Sequence, residues 1–119
     1  MANFRDGYLE RKAEQGKLVS TTQLLADNQS IVLSAGQGVL YLTSDNTTAT
    51  NRTFTISNGD NEGQRLTIIL TSATANACEL ANTGNVKLSA GWTPATQYSN
   101  ISLIFDGTNW IETSRVTGA

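Results

Sequence analysis

The stretch NISLIFDGTNWIETSR, residues 100–115, decides the fold. Ile101, Leu103 and Phe105 alternate with polar neighbours, which puts them on one face of an extended chain. Asp106-Gly107 follows, and then a second run, Asn109–Arg115, with Ile111 on one face and Trp110 on the other. An Asp-Gly pair between two such runs supplies the positive φ angles of a tight turn, so the segment predicts a β-hairpin.

Runs of the same kind lie upstream of this hairpin. They are Ser30–Ser34, Gly38–Ser44, Arg52–Ser57 (Phe54 and Ile56 on one face) and Gln64–Thr71, with weaker ones at Ala77–Ala81 and Asn85–Ser89. They are rich in Val, Ile, Thr and aromatics and recur about every ten residues between turn signals. The sequence therefore predicts an all-β protein, a small β-sandwich or barrel-like domain of about eight short strands over residues 18–119. The single proline, Pro94, falls in a loop, where it interrupts no ladder. Leu-Ser-Ala-Gly occurs twice, at 33–36 and 88–91. Poorly matched flanks favour chance reuse of a strand-to-turn solution over an internal duplication.

Residues 1–17 read differently. They hold seven of the eighteen charged residues, four basic and three acidic, leaving a net −3 on the rest of a chain of net −2. Tyr8–Gln15 favours a short helix between Gly7 and Gly16, but one or two turns are not stable alone. The segment is thus expected to be an N-terminal arm that orders against something else.

Composition narrows the function. Charged residues are 15 % of the 119, and no basic surface is concentrated enough to predict nucleic-acid binding. No apolar run approaches the ~20 residues of a membrane helix. The lone Cys78 has no partner for an internal disulfide and reads as a buried, reduced thiol. There is no histidine, which removes the commonest general base and metal ligand. Among carboxylates, Asp60, Glu62, Asp106 and Glu112 are the candidates for acid–base work. Turn chemistry explains Asp106, and a solvated strand face explains Glu112. Asn58–Gly63 (NGDNEG) has the composition of a calcium loop without the ligand spacing, and reads as a turn. The expectation is of no enzyme, no cofactor and no metal site. Trp92, Tyr98 and Trp110 are the large side chains suited to core or subunit-interface packing, or to stacking on a sugar.

The second half carries a recognisable series: Gly63-Gln-Arg-Leu-Thr, then Gly84-Asn-Val-Lys-Leu88, then Asp106-Gly-Thr-Asn-Trp-Ile-Glu-Thr-Ser-Arg115. Over roughly residues 52–115 it resembles a β module of virion proteins of tailed bacteriophages, cyanophages included. The resemblance implies a virion structural protein, assembled in the host cytoplasm and commonly a homotrimer, without nucleic acid or membrane as partner. Within that class the expectation is a capsid decoration (cement) protein that binds the major capsid protein or another virion protein. It rests on a short chain read as starting at its own Met1, on the lack of a repetitive shaft, and on the arm. There Phe4, Tyr8 and Leu9 would anchor on the partner beside the basic Arg5, Arg11 and Lys12. Trp92, Tyr98 and Trp110 are the candidates for the subunit interface. The alternatives are a tail fibre or tailspike adaptor or receptor-binding component, and a carbohydrate-binding module that stacks sugar on Trp92 and Trp110.

Overall fold

The computed structural model describes residues 18–25, 27–44, 52–71 and 78–118. Among them are nine strands and no helix, as an all-β sequence requires. The strands are β1 (Val19–Leu24), β2 (Gln29–Ile31), β3 (Val39–Ser44), β4 (Arg52–Ile56), β5 (Arg65–Leu70), β6 (Cys78–Leu80), β7 (Val86–Lys87), β8 (Asn100–Phe105) and β9 (Trp110–Val116). They form a six-stranded sheet of order β1-β3-β5-β8-β9-β7 and a three-stranded sheet of order β2-β4-β6.

The chain alternates between the two sheets. β1, β3 and β5 are parallel neighbours in one, and β2, β4 and β6 are parallel neighbours in the other. The first six strands thus wind as three stacked coils, β1–β2, β3–β4 and β5–β6. Parallel strands cannot be joined by a tight turn and need a crossover. Here the crossover from one strand to its parallel neighbour is a strand of the opposite sheet. Register pairs Val19 with Val39 and Val39 with Thr67, so successive coils advance 20 and then 28 residues.

Alternation builds the core. Leu40, Ile68 and Ile101 are register partners across β3, β5 and β8, and all three are buried. Leu42 and Leu70 form the next row, and Phe54 and Leu80 a row of the smaller sheet. Side chains of both sheets join one cluster. Each Leu or Ile removed from water contributes about 1.5–3 kcal/mol toward offsetting backbone ordering.

A buried glutamine fixes the coil corner. Gln37 donates from Nε2 to Ser20 Oγ at 2.6 Å and to the Val39 carbonyl at 2.9 Å, and its Oε1 accepts from Ser34 N at 2.8 Å. Its own carbonyl accepts from Gln64 Nε2 at 3.0 Å. One residue, through its side-chain amide and its backbone carbonyl, thereby ties residues of all three coils.

The antiparallel hairpin β8–β9 closes the C-terminal end of the stack against β5. Its connection is a four-residue loop, Asp106 to Asn109, since Phe105 pairs with Trp110. Only Gly107 of the Asp-Gly pair takes a positive φ, 99°. Asp106 acts through its carboxylate, which accepts from Thr108 N at 2.9 Å and Asn109 N at 2.6 Å. These bonds hold its carboxyl below the usual range. The two Leu-Ser-Ala-Gly copies occupy unlike places. The first turns from β2 into β3 with Gly36 at φ 70°, and the second leads from β7 to Trp92 with no positive φ at Gly91.

Candidate functional site

The arm residues Phe4, Arg5, Tyr8, Leu9, Arg11 and Lys12 lie outside the described residues. The aromatic trio is placed in two different environments. Trp110 is 0 % exposed, with its ring 5.1 Å from that of Phe105 and its Nε1 donating to the Ser57 carbonyl at 2.9 Å. Trp92 is buried too, and its backbone bridges Leu80 on the free edge of β6. Neither indole face is open to a sugar or to a second subunit, because the core of its own chain encloses it. Of the readings open for Trp92 and Trp110, burial favours core packing over a subunit interface or sugar stacking. Tyr98 is 58 % exposed, at a positive φ of 71°, and alone of the three presents its ring to solvent.

The residues of the recognisable series turn out to hold loops. Gly63 takes φ 92°, and Gln64 Oε1 accepts from Asp60 N at 2.7 Å. Gly84 takes φ 62°, and Asn85 Nδ2 donates to the Ile56 carbonyl at 3.0 Å and to Asn58 Oδ1 at 2.9 Å. Leu66 and Leu88 are core.

Glu112 is not the solvated side chain expected of it. Its side chain is 10 % exposed and meets Arg115 at 2.6 Å. Its Oε1 accepts from Ser89 N at 2.9 Å and Ser89 Oγ at 3.0 Å, while Arg115 donates to the Ala90 carbonyl at 2.8 Å. The arrangement latches segment 89–91 onto β9. The Arg115 guanidinium, helped by the Ser89 bonds, holds the Glu112 carboxyl down at about 2.

The other carboxylates are similarly engaged. Asp60 Oδ2 accepts from Gly36 N at 2.6 Å, joining the loop before β5 to the loop before β3. Asp27, absent from the sequence-derived candidates, accepts from Thr53 N at 2.8 Å, Thr53 Oγ1 at 2.6 Å and Asn28 N at 3.1 Å. The Thr53 bonds hold its carboxyl below the usual range. Its identity gives no hint of this role, since Thr53 is 26 residues away. A groove of about 570 Å³ runs along the coil corner past Gly36, Glu62, Gln64 and Arg65. Among the described residues, no three Asp, Glu or Cys side chains gather as a metal would require. Cys78 is buried as expected, and burial pushes its thiol up to about 11.

What remains open is the first coil. Among the described residues, β1 and β2 have a strand neighbour on one side only. Of the six exposed large apolar side chains among the described residues, four, Leu18, Val19, Leu25 and Val32, lie on this coil at 39 to 83 % exposure. Tyr98 and Val116 are the other two. Sequence reasoning passed over β1, although Val19 to Leu24 alternates in exposure as an edge strand does.

Comparison with protein-family models found no match, and comparison with curated proteins found none. No described helix is long and apolar enough to cross a membrane.

Proposed function

We propose that this chain is a non-enzymatic structural protein of a tailed-phage virion, a capsid decoration protein that attaches to the shell as a homotrimer. One observation carries the reading. The described Asp60, Asp106, Glu112 and Arg115 are spent on holding loops, while exposed apolar side chains collect on the coil that leads directly into the charged arm. A rigid body whose unsatisfied surface lies at one end is suited to docking, not to turnover. The arm, through Phe4, Tyr8 and Leu9 with Arg5, Arg11 and Lys12, supplies the partner contact and orders on the shell.

The test is co-sedimentation with bare shells of the phage that carries the protein. The full chain is expected to pellet with shells, and a chain lacking residues 1–17 to stay in the supernatant while keeping its β circular-dichroism signature. Equal pelleting of both forms would remove the arm from the attachment, and no pelleting of either would remove the shell.

A tail-fibre or tailspike adaptor is the second reading. The lack of a repetitive shaft counted against it, yet three coils stack without any sequence repeat. A stack of parallel coils with an open first coil is a form that coils of another fibre protein can continue. This reading predicts binding to a tail protein and none to shells. The carbohydrate-binding reading loses its two stacking residues to the core.

A further inference from the structure

The smaller sheet lies against one face of the six-stranded sheet, and the side chains buried between them make the core. Register places the alternate residues on the other face, in three rows. One row is Thr21, Tyr41, Ile69, Asn100 and Val116, and the next is Val19, Val39, Thr67, Ser102 and Ser114. The third is Arg65, Ile104, Ile111 and Lys87. Every described strand belongs to one of the two sheets, so no described strand covers this face. A sheet face that meets water alternates polar residues with the buried ones. Here VLYL in β3, IIL in β5 and LIF in β8 are unbroken apolar runs, the pattern of strands buried on both faces. Tyr41, Ile69 and Ile104 are nevertheless partly exposed, and Val19 on β1 and Val116 on β9 are 57 and 56 % exposed.

We propose that this outer face of the six-stranded sheet is where copies of the chain meet, so that its occupant is a second copy. The inference rests on the self-association proposed above and names the surface that performs it. Area supports that occupant. β1, β3, β5, β8 and β9 have six or seven residues each. Five such strands at their usual spacing make a face of roughly 24 by 20 Å, about 480 Å² before side-chain relief is added. Two of these faces pressed together hide about 1,000 Å², which a specific association between proteins has to reach. Charge supports it as well. The three rows hold two charged residues, Arg65 and Lys87, both in the row at one end, so an apolar middle has a polar rim. The chain itself is net −2, so a second copy brings an acidic surface to that rim. The groove at the coil corner cuts into the same end, with Val39, Arg65 and Thr67 in its wall. A hollow thus lies beside the side chains of Ile104 and Ile111, which lets the face be complementary to itself.

The test is the solution mass of the full chain with Ile69→Lys and, separately, with Ile104→Lys. Both variants should fall to the 12.7 kDa of one chain at concentrations where the wild type is associated. A thiol probe keeps the test independent of how well these variants fold. Ser102→Cys sets a small side chain in the middle of the face, and Thr55→Cys sets one on the exposed side of β4 in the smaller sheet. Maleimide should label the Ser102→Cys thiol at least tenfold faster in the Ile69→Lys background than alone, and the Thr55→Cys thiol equally in both. Cys78, which is buried, should stay unlabelled throughout and so reports that the fold is kept. Dilution of Ser102→Cys alone until its mass falls should raise its labelling in the same way. A wild type already at the chain mass would overturn the self-association and this face with it. An associated wild type whose variants keep both mass and labelling rate would overturn the face alone. Variants that keep their mass and lose only co-sedimentation with shells would also overturn it, by assigning the face to the shell protein.

Discussion

Trp110 touches more of the molecule than any of its neighbours in sequence would suggest. Its ring fills the core beside Phe105, its Nε1 reaches the Ser57 carbonyl, and its backbone N donates to Asn85 O at 2.7 Å. Ser57 in turn accepts Leu33 N on its Oγ at 2.8 Å, so the terminal hairpin is linked to the first coil through one serine. Trp110→Ala should cost about 3–5 kcal/mol of unfolding free energy in urea, the range for a large aromatic lost from a core. Trp110→Phe should cost less, since it keeps most of the volume and leaves one buried carbonyl unpaired. Glu112 offers a pH test. Its carboxyl lies at about 2 in the folded protein against an ordinary value of 4.5. A depressed folded value means that the latch contributes fully above the ordinary value and loses its contribution as pH falls through about 2. Glu112→Gln should therefore cost about 1–2 kcal/mol at pH 7, tempered by the partial exposure of Arg115, and almost nothing at pH 2. A cost that stays constant with pH would show that the latch works by shape alone.

Among the elements, the hairpin and the coils differ in how far their sequences announce them. Gly107 at φ 99° is a position where a Cβ is strained, and Gly107→Ala should lower stability by about 1–2 kcal/mol in thermal melts. At the coil corner, Gln37→Leu should cost more, because Ser34 N and the Val39 carbonyl lose a buried partner at about 1–3 kcal/mol each. β3, β4, β5 and β8 were legible because each buries alternate residues, which marks the sequence with period two, and β9 because it follows the Asp106-Gly107 turn. β1 was not, because an edge strand buries little. Of its six residues only Leu24 is buried, and Ser20 and Thr22 give no apolar signal. Parallel winding was also not legible. Strands spaced about ten residues apart suit hairpins as well as coils, and coils of 20 and 28 residues share no motif that would mark a repeat. The Glu112 latch escaped notice because its partner Ser89 ends a weak run 23 residues away, brought alongside by the short pairing of β7 with β9. Trp92 and Trp110 were legible as large packing residues but left open between core and interface, since alternation fixes that two faces exist and not which one the core occupies.

Among the described residues the protein is a coil stack with the β8–β9 hairpin packed on its third coil, its carboxylates turned to internal bracing and four of its exposed large apolar side chains on the first coil. The proposed role follows from that distribution. Trimer formation would need an apolar surface of its own. Among the described residues, Tyr98 and Val116 are the exposed large apolar residues away from the first coil. Tyr98→Ala with Val116→Ser should then weaken the trimer at micromolar concentration without changing the β circular-dichroism signature.

The direct measurement is the mass of the full chain in solution, by size-exclusion chromatography with light scattering. A building block of the proposed kind should elute as one species of three times the 12.7 kDa chain mass, unchanged over a tenfold range of concentration. A single species at the chain mass over the same range would contradict it.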